Sequence, residues 1–342
     1  MTQSEQPREY LLRQATGYMV PHVLRAAAQL KLLDGFGDAA RPTADVAREL
    51  DVPAENLQRL LRALASLGLL AEPRPGEFKA TEVGALLRTD HPQSMHAFVD
   101  MFTRPTITRA WEDLAYSVRT GDTAFEKLFG KHFFAYLKDL PEESEVFNAS
   151  MTQETQVVLD VLPTAYDFGK YGTALDIGGG NGTMLGAILN AHPSLKGIVF
   201  YSAEGSAQTA QRLAALGVGD RATVKAGNFF EAIPAGADLY LIKSVLHDWG
   251  NERAETILRR CREVISADGR LLIVDFVLPP TVDEQTPLTF YLSDLNLMVN
   301  TGGRERTLAD FQQLLGRAGF EVTETAPLPG DTGYFYVEAK PV

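Results

Sequence analysis

The chain has 342 residues, 45% of them hydrophobic, and a formal net charge of −12. That length suits two domains, or one large domain with an accessory part, and the acidic balance argues against a nucleic-acid polyanion as the main partner. One cysteine, Cys261, excludes an internal disulfide and disfavours a cysteine-based metal site; with a polar N-terminus and no apolar run near the roughly 20 residues that cross a bilayer, the reading is a soluble cytoplasmic protein with no membrane partner.

From Tyr10 to Leu33 apolar residues recur at helical spacing, including Leu11, Leu12, Met19, Val23 and Leu30. Pro21 predicts a kink or a new helix start. So apolar a helix needs a covering surface, either the body of the chain or a second subunit. Thr43 to Leu70 reads as two helices across an Asp51-Val52-Pro53 turn. A turn at Pro73–Gly76, a short strand at Glu77–Ala80 and a further helix from Thr81 complete a winged-helix outline. Such an outline serves DNA binding or a structural module. Glu55 and an apolar stripe accompany Arg59 and Arg62, and the chain is acidic, which favours the module. His91 to Leu162 is helical and rich in aromatics, among them Phe102, Trp111 and Phe147, followed by Met151. These side chains suit a core, or an apolar pocket for a flat substrate.

Leu175-Asp176-Ile177-Gly178-Gly179-Gly180-Asn181-Gly182 reads as a buried strand, a glycine turn and a helix start. Glycines there open backbone angles closed to other residues and let a ligand approach the main chain. This is the cofactor crevice of a doubly wound sheet. Strands follow at 197–201, 222–226, 237–243 and 270–275, with helices at 206–216, 251–266 and 307–318 and closing strands at 321–326 and 334–339. Alternation of this kind means an α/β domain. His247, in Leu246-His247-Asp248-Trp249, follows the fourth strand; Asp275 closes the fifth; Glu305 lies in Thr301–Arg306. A histidine beside carboxylates is suited to proton transfer near neutral pH. Taken singly, His247 also suits a structural role, and Glu305 with Arg306 a solvated charged loop. The six histidines show no spacing with acids or cysteines that indicates a metal site.

Nearly the whole chain resembles small-molecule O-methyltransferases of the plant caffeic-acid type, in their bacterial natural-product branch. The resemblance rests on the glycine stretch at 175–182, Leu-His-Asp-Trp at 246–249 and Gly-Gly-Arg-Glu-Arg-Thr at 302–307. It implies an α/β protein: a C-terminal Rossmann-like domain that binds S-adenosylmethionine, with an N-terminal all-helical winged-helix dimerisation domain. The boundaries expected are 1–105 for dimerisation, 106–162 for connecting helices that line the substrate pocket, and 163–342 for catalysis. It further implies a homodimer acting on a phenolic or enolic hydroxyl of an aromatic or polyketide natural product. His247 becomes the general base, flanked by Asp275 and Glu305. Cofactor contacts fall on Asp176, Gly178, Gly180, Tyr201, Ser202, Gly227, Asn228, Phe229 and Lys243. Substrate contacts fall on Phe102, Trp111, Phe147, Met151, Asp294 and Met298.

Two positions depart from the family's pattern. Tyr201 stands where an acid grips both ribose hydroxyls, and Asn228 where an acid meets the adenine amine. With Ser202 or Glu204 taking over the ribose contact, methyl transfer persists. The alternatives are a non-methylating enzyme on the same fold (a hydroxylase, decarboxylase or cyclase) and a ligand-sensing winged-helix regulator.

Overall fold

The computed structural model describes residues 6–202, 206–282, 286–330 and 332–342. The chain divides into two compact units, one formed by residues 1–109 with 140–154, the other by 110–139 with 155–342. The segment 106–162 therefore contributes to both.

In the first unit the N-terminal helical stretch is two helices, Pro7–Thr16 and Met19–Gln29. They part at Gly17–Tyr18, ahead of Pro21. The proline lies in the first turn of the second helix, where its missing N–H has no helical acceptor to lose. Leu11, Leu12, Tyr18 and Met19 remain exposed in the single chain. Strand β1 (Arg41–Pro42), helices Thr43–Leu50 and Ala54–Ser66, and strands β2 (Leu70–Arg74) and β3 (Glu77–Ala80) follow. The strands form an antiparallel sheet in the order β1-β3-β2. The unit is thus mainly helical with a small sheet, where the sequence pattern gave a single strand. Leu57, Leu61 and Leu64 turn one helix face onto Leu70 and Phe78 to make its core. Gly84 closes it, since a Cβ there would sit 1.8 Å from the Leu69 carbonyl oxygen.

The second unit is a larger sheet. Its strands are β4 (Thr173–Ile177), β5 (Lys196–Tyr201), β6 (Ala222–Ala226), β7 (Leu239–Lys243), β8 (Arg270–Leu278), β9 (Arg306–Thr307), β10 (Phe320–Pro327) and β11 (Tyr334–Pro341). Their order is β10-β11-β8-β7-β4-β5-β6, with β9 added to β8. The centre is parallel, and β11 runs antiparallel to both β8 and β10. Leu239 to Ile242 are all buried because alternate side chains enter different apolar clusters. Tyr240 and Ile242 pack with helix Asn251–Val264 and helix Leu308–Arg317. Leu239 and Leu241 pack with helix Thr183–Ala191. A sheet covered on both faces reads as a continuous apolar run, as this one does.

Two features depart from the sequence expectation. Strand β8 continues past Asp275 to Leu278, because β11 and β9 extend its pairing through Phe276–Tyr334 and Val277–Arg306. Asp275 is therefore held inside a strand rather than at its end. Helix Leu288–Asn300 was not expected, although Thr289, Ser293, Asn296 and Asn300 recur at helical spacing and share one face.

Candidate active site

Strand order runs outward in opposite directions from β4 and β7, so their carboxyl ends open a crevice at a topological switch point. On the β4 side, Gly178 and Gly180 take φ values of +74° and +53°, angles that strain any other side chain. At Gly178 a Cβ would also meet Val245 at 2.7 Å. The Gly178 N–H donates to the Phe200 carbonyl at 2.8 Å and fixes the turn to β5.

Beneath the turn lies Asp176, 1% exposed, with neither carboxylate oxygen hydrogen-bonded among the described residues. Burial pushes its pKa up to about 7, against the opposing pull of Lys243. A buried carboxylate with no donor is costly and is relieved by a cationic N–H donor. Lys243, at the end of β7, donates to the Thr155 hydroxyl at 3.0 Å and lies 5.2 Å from the centre of the Tyr334 ring. An orphaned acid under a glycine cradle, with a lysine ammonium near enough to lower its pKa, fits the amino-acid end of S-adenosylmethionine.

The carboxyl ends of β5 and β6 are furnished differently. Tyr201 ends β5 half-buried against an apolar cluster, and its carbonyl accepts from the Gly227 N–H at 3.0 Å. Ser202 follows it; Glu204 lies outside the described residues. Asn228 is engaged within its own loop: its amide nitrogen donates to Glu231 at 2.9 Å, and its oxygen accepts from the Phe230 N–H at 3.0 Å. Phe229 and Phe230 pack edge to face, and Phe230 meets Trp249 at 4.8 Å.

On the β7 side the chain turns through a short 3-10 helix, Leu246–Asp248. His247 Nδ1 lies 3.3 Å from an Asp275 carboxylate oxygen and 3.4 Å from one of Glu305. Its Nε2 is 3.9 Å from Asp248. The two flanking carboxylates are almost wholly buried, whereas the ring keeps 16% of its side-chain surface. Burial alone would lower the ring's pKa. Asp275 and then Glu305 outweigh it and hold His247 well above its ordinary value. Burial raises Asp275 to about 6, with the imidazole opposing, and Asp248 to about 7.

Each member of this group is held by something the sequence did not reveal. Ser293 donates to Glu305 Oε1 at 2.8 Å, while Glu305 Oε2 lies toward the ring. Asp294 accepts the Glu305 backbone N–H at 2.8 Å. Asp275 accepts the Phe276 N–H at 3.1 Å. Arg306 is 1% exposed and donates to the carbonyls of Leu246 and Trp249, both at 2.8 Å, and to Asn251 at 3.1 Å. It clamps both ends of the turn that carries His247. The Arg304 N–H donates to the His247 carbonyl at 2.8 Å. Gly303 permits that approach, since a Cβ there would sit 2.0 Å from the same carbonyl. The solvated-loop reading of Glu305 and Arg306 is thereby corrected: both are buried. Ligand atoms of His247, Asp275 and Glu305 lie within 4.8 Å of one another, a convergence of segments distant in sequence. A proton on Nδ1 answers the same two carboxylates.

Trp111 donates through its indole N–H to Asn296 at 3.0 Å, on the helix that carries Ser293, Asp294 and Met298. Phe102, Phe147 and Met151 are carried by the first unit, where Phe102 stacks on Phe98 at 4.4 Å. No described helix is long and apolar enough to cross a membrane.

Comparison with known proteins gives the following. Residues 111–321 match the O-methyltransferase domain, and residues 12–90 match the O-methyltransferase dimerisation domain. O-demethylpuromycin-O-methyltransferase of Streptomyces alboniger is 43% identical over 98% of the chain and 89% of that protein. Phenazine O-methyltransferase PhzM of Lysobacter antibioticus is 40% identical over 97% of the chain and 96% of its own length. The structure of the mitomycin 7-O-methyltransferase MmcR superposes with a TM-score of 0.90 at 31% identity, over 98% of each chain.

Proposed function

From the premise that the chain belongs to the O-methyltransferase family, with S-adenosylmethionine as its cofactor and a second copy of itself as its partner, we propose that it methylates a phenolic hydroxyl of an aromatic natural product, with His247 as the general base. The relatives named for O-demethylpuromycin and phenazine support that substrate class. The observation that carries the mechanism is His247 Nδ1 set between two buried carboxylates.

Bound S-adenosylmethionine supplies a sulfonium-borne methyl group that a nearby oxygen nucleophile can take. The protein's part is to hold Nδ1–H toward Asp275 and Glu305, which leaves Nε2 as the acceptor. As the phenol oxygen gives up its proton to Nε2, the ring becomes cationic between two carboxylates that already stabilise that state. Raising the ring's pKa toward the phenol range, about 10, also makes the transfer less uphill. Arg306 holds the turn that carries the ring during the exchange. Asp176 and Lys243 are proposed to hold the donor's amino-acid end. Trp111, Asp294 and Met298 are proposed substrate contacts. A cytoplasmic location belongs to the same proposal, supported by a lone buried thiol at Cys261.

Replacing His247 with alanine tests the base assignment. Turnover of O-demethylpuromycin or a hydroxyphenazine is expected to fall by about 10²-fold or more. Calorimetric binding of S-adenosylhomocysteine should stay unchanged. Undiminished turnover would remove His247 from the chemistry.

A further inference from the structure

We propose that, among the described residues, Tyr201 leaves the nucleoside end of the crevice without a charged partner for the ribose, so that cofactor binding is indifferent to the ribose 2′-hydroxyl. This rests on the methyl-donor reading above. In crevices of this topology the strand after the glycine turn ends beside the ribose, and a carboxylate there accepts from its hydroxyls. Strand β5 pairs in parallel with β4 right up to the turn, Ile177 opposite Phe200, and the Gly178 N–H reaches the Phe200 carbonyl at 2.8 Å. The next residue, Tyr201, therefore occupies that place.

A phenol brings one hydroxyl and no charge, where a carboxylate brings two oxygens for two hydroxyls. The Tyr201 ring packs against the apolar cluster that includes Val199. The neighbouring strand end offers no replacement, because both ends of the Asn228 amide are engaged within its own loop. Asp176 lies under the turn, where a Cβ on Gly179 would come 2.5 Å from its carboxylate, and is placed for the other end of the ligand.

The test is calorimetric titration of the full-length protein with S-adenosylhomocysteine and with its 2′-deoxy analogue. In the native protein the two dissociation constants are expected to agree within about threefold, less than a typical hydrogen bond provides. In Tyr201→Asp, S-adenosylhomocysteine should bind about tenfold or more tighter and be preferred over the deoxy analogue by a similar factor, as a charge-assisted bond requires. Tyr201→Phe should behave as the native protein does. A native preference of about tenfold for the hydroxylated ligand overturns the proposal, and Glu204→Gln then shows whether that residue carries it. A tenfold loss in Tyr201→Phe also overturns it, by making the phenol the ribose partner. If neither ligand binds at millimolar concentration, the methyl-donor reading falls as well, so the two failures are distinguishable. The native comparison decides the matter even if Tyr201→Asp folds poorly.

Discussion

At the scale of single residues, the protonation state of His247 decides when the site can work. Two carboxylates hold the ring well above its ordinary pKa and so favour its cationic form, whereas only the neutral ring can accept the substrate's proton. Activity should therefore rise with pH through that raised pKa and fall below it. Glu305→Gln removes one of the charges responsible, lowers the ring's pKa and moves the rising limb of the kcat/KM profile to lower pH. A shift of about one unit or more is expected; a limb that stays in place would remove Glu305 from this role. The motif residues were legible in the sequence, but their burial was not. Glu305 and Arg306 sit in a polar string that looks solvated until β9 and helix Leu288–Asn300 enclose it. Ser293, which holds Glu305, was not singled out, because its role depends on a loop that folds back onto its helix.

The elements behind the glycine turn explain a conflict between stability and use. Burial pushes the Asp176 pKa up to about 7 in the folded protein, from the 3.8 that is ordinary for an open chain. Its folded pKa is raised, so folding is unpenalised below about 3.8. Stability then falls as pH rises toward 7, where the buried group ionises. Asp176→Asn keeps the shape without the charge. It should stabilise the ligand-free protein at pH 8 by a few kcal/mol, on the order set by a shift of this size, and flatten its pH dependence. The same variant should bind S-adenosylhomocysteine more weakly. Chemical denaturation at pH 5 and pH 8 checks the first claim; an equal stability change at both pH values would contradict it. Elements with a clean period, such as Ala54–Ser66, could be read from sequence. Helix Leu288–Asn300 was missed despite its polar stripe, and the extension of β8 could not be read, because it depends on partners distant in the chain.

Across the whole molecule, the doubly wound sheet was legible because its parallel strands are continuous apolar runs between helical segments. The pairing of β9 with β8 was not, since two residues carry no periodicity. The exposed Leu12 and Met19 belong to the part that matches the dimerisation domain, and they leave an apolar surface on the single chain. Substituting both with aspartate should shift the protein toward monomer in light-scattering chromatography. A dimer that persists would place the interface on other residues.

The chain leaves its first unit after residue 109, returns at 140 and leaves again after 154. A hybrid gene joined once to a relative's cannot respect that path. Crossover at 109 strands a native 140–154 among foreign neighbours, and crossover at 154 carries a foreign 110–139 into the catalytic unit. Exchange of substrate preference between such enzymes by recombination therefore calls for two inserted segments moved together, and single-joint hybrids inherit a mismatched interior.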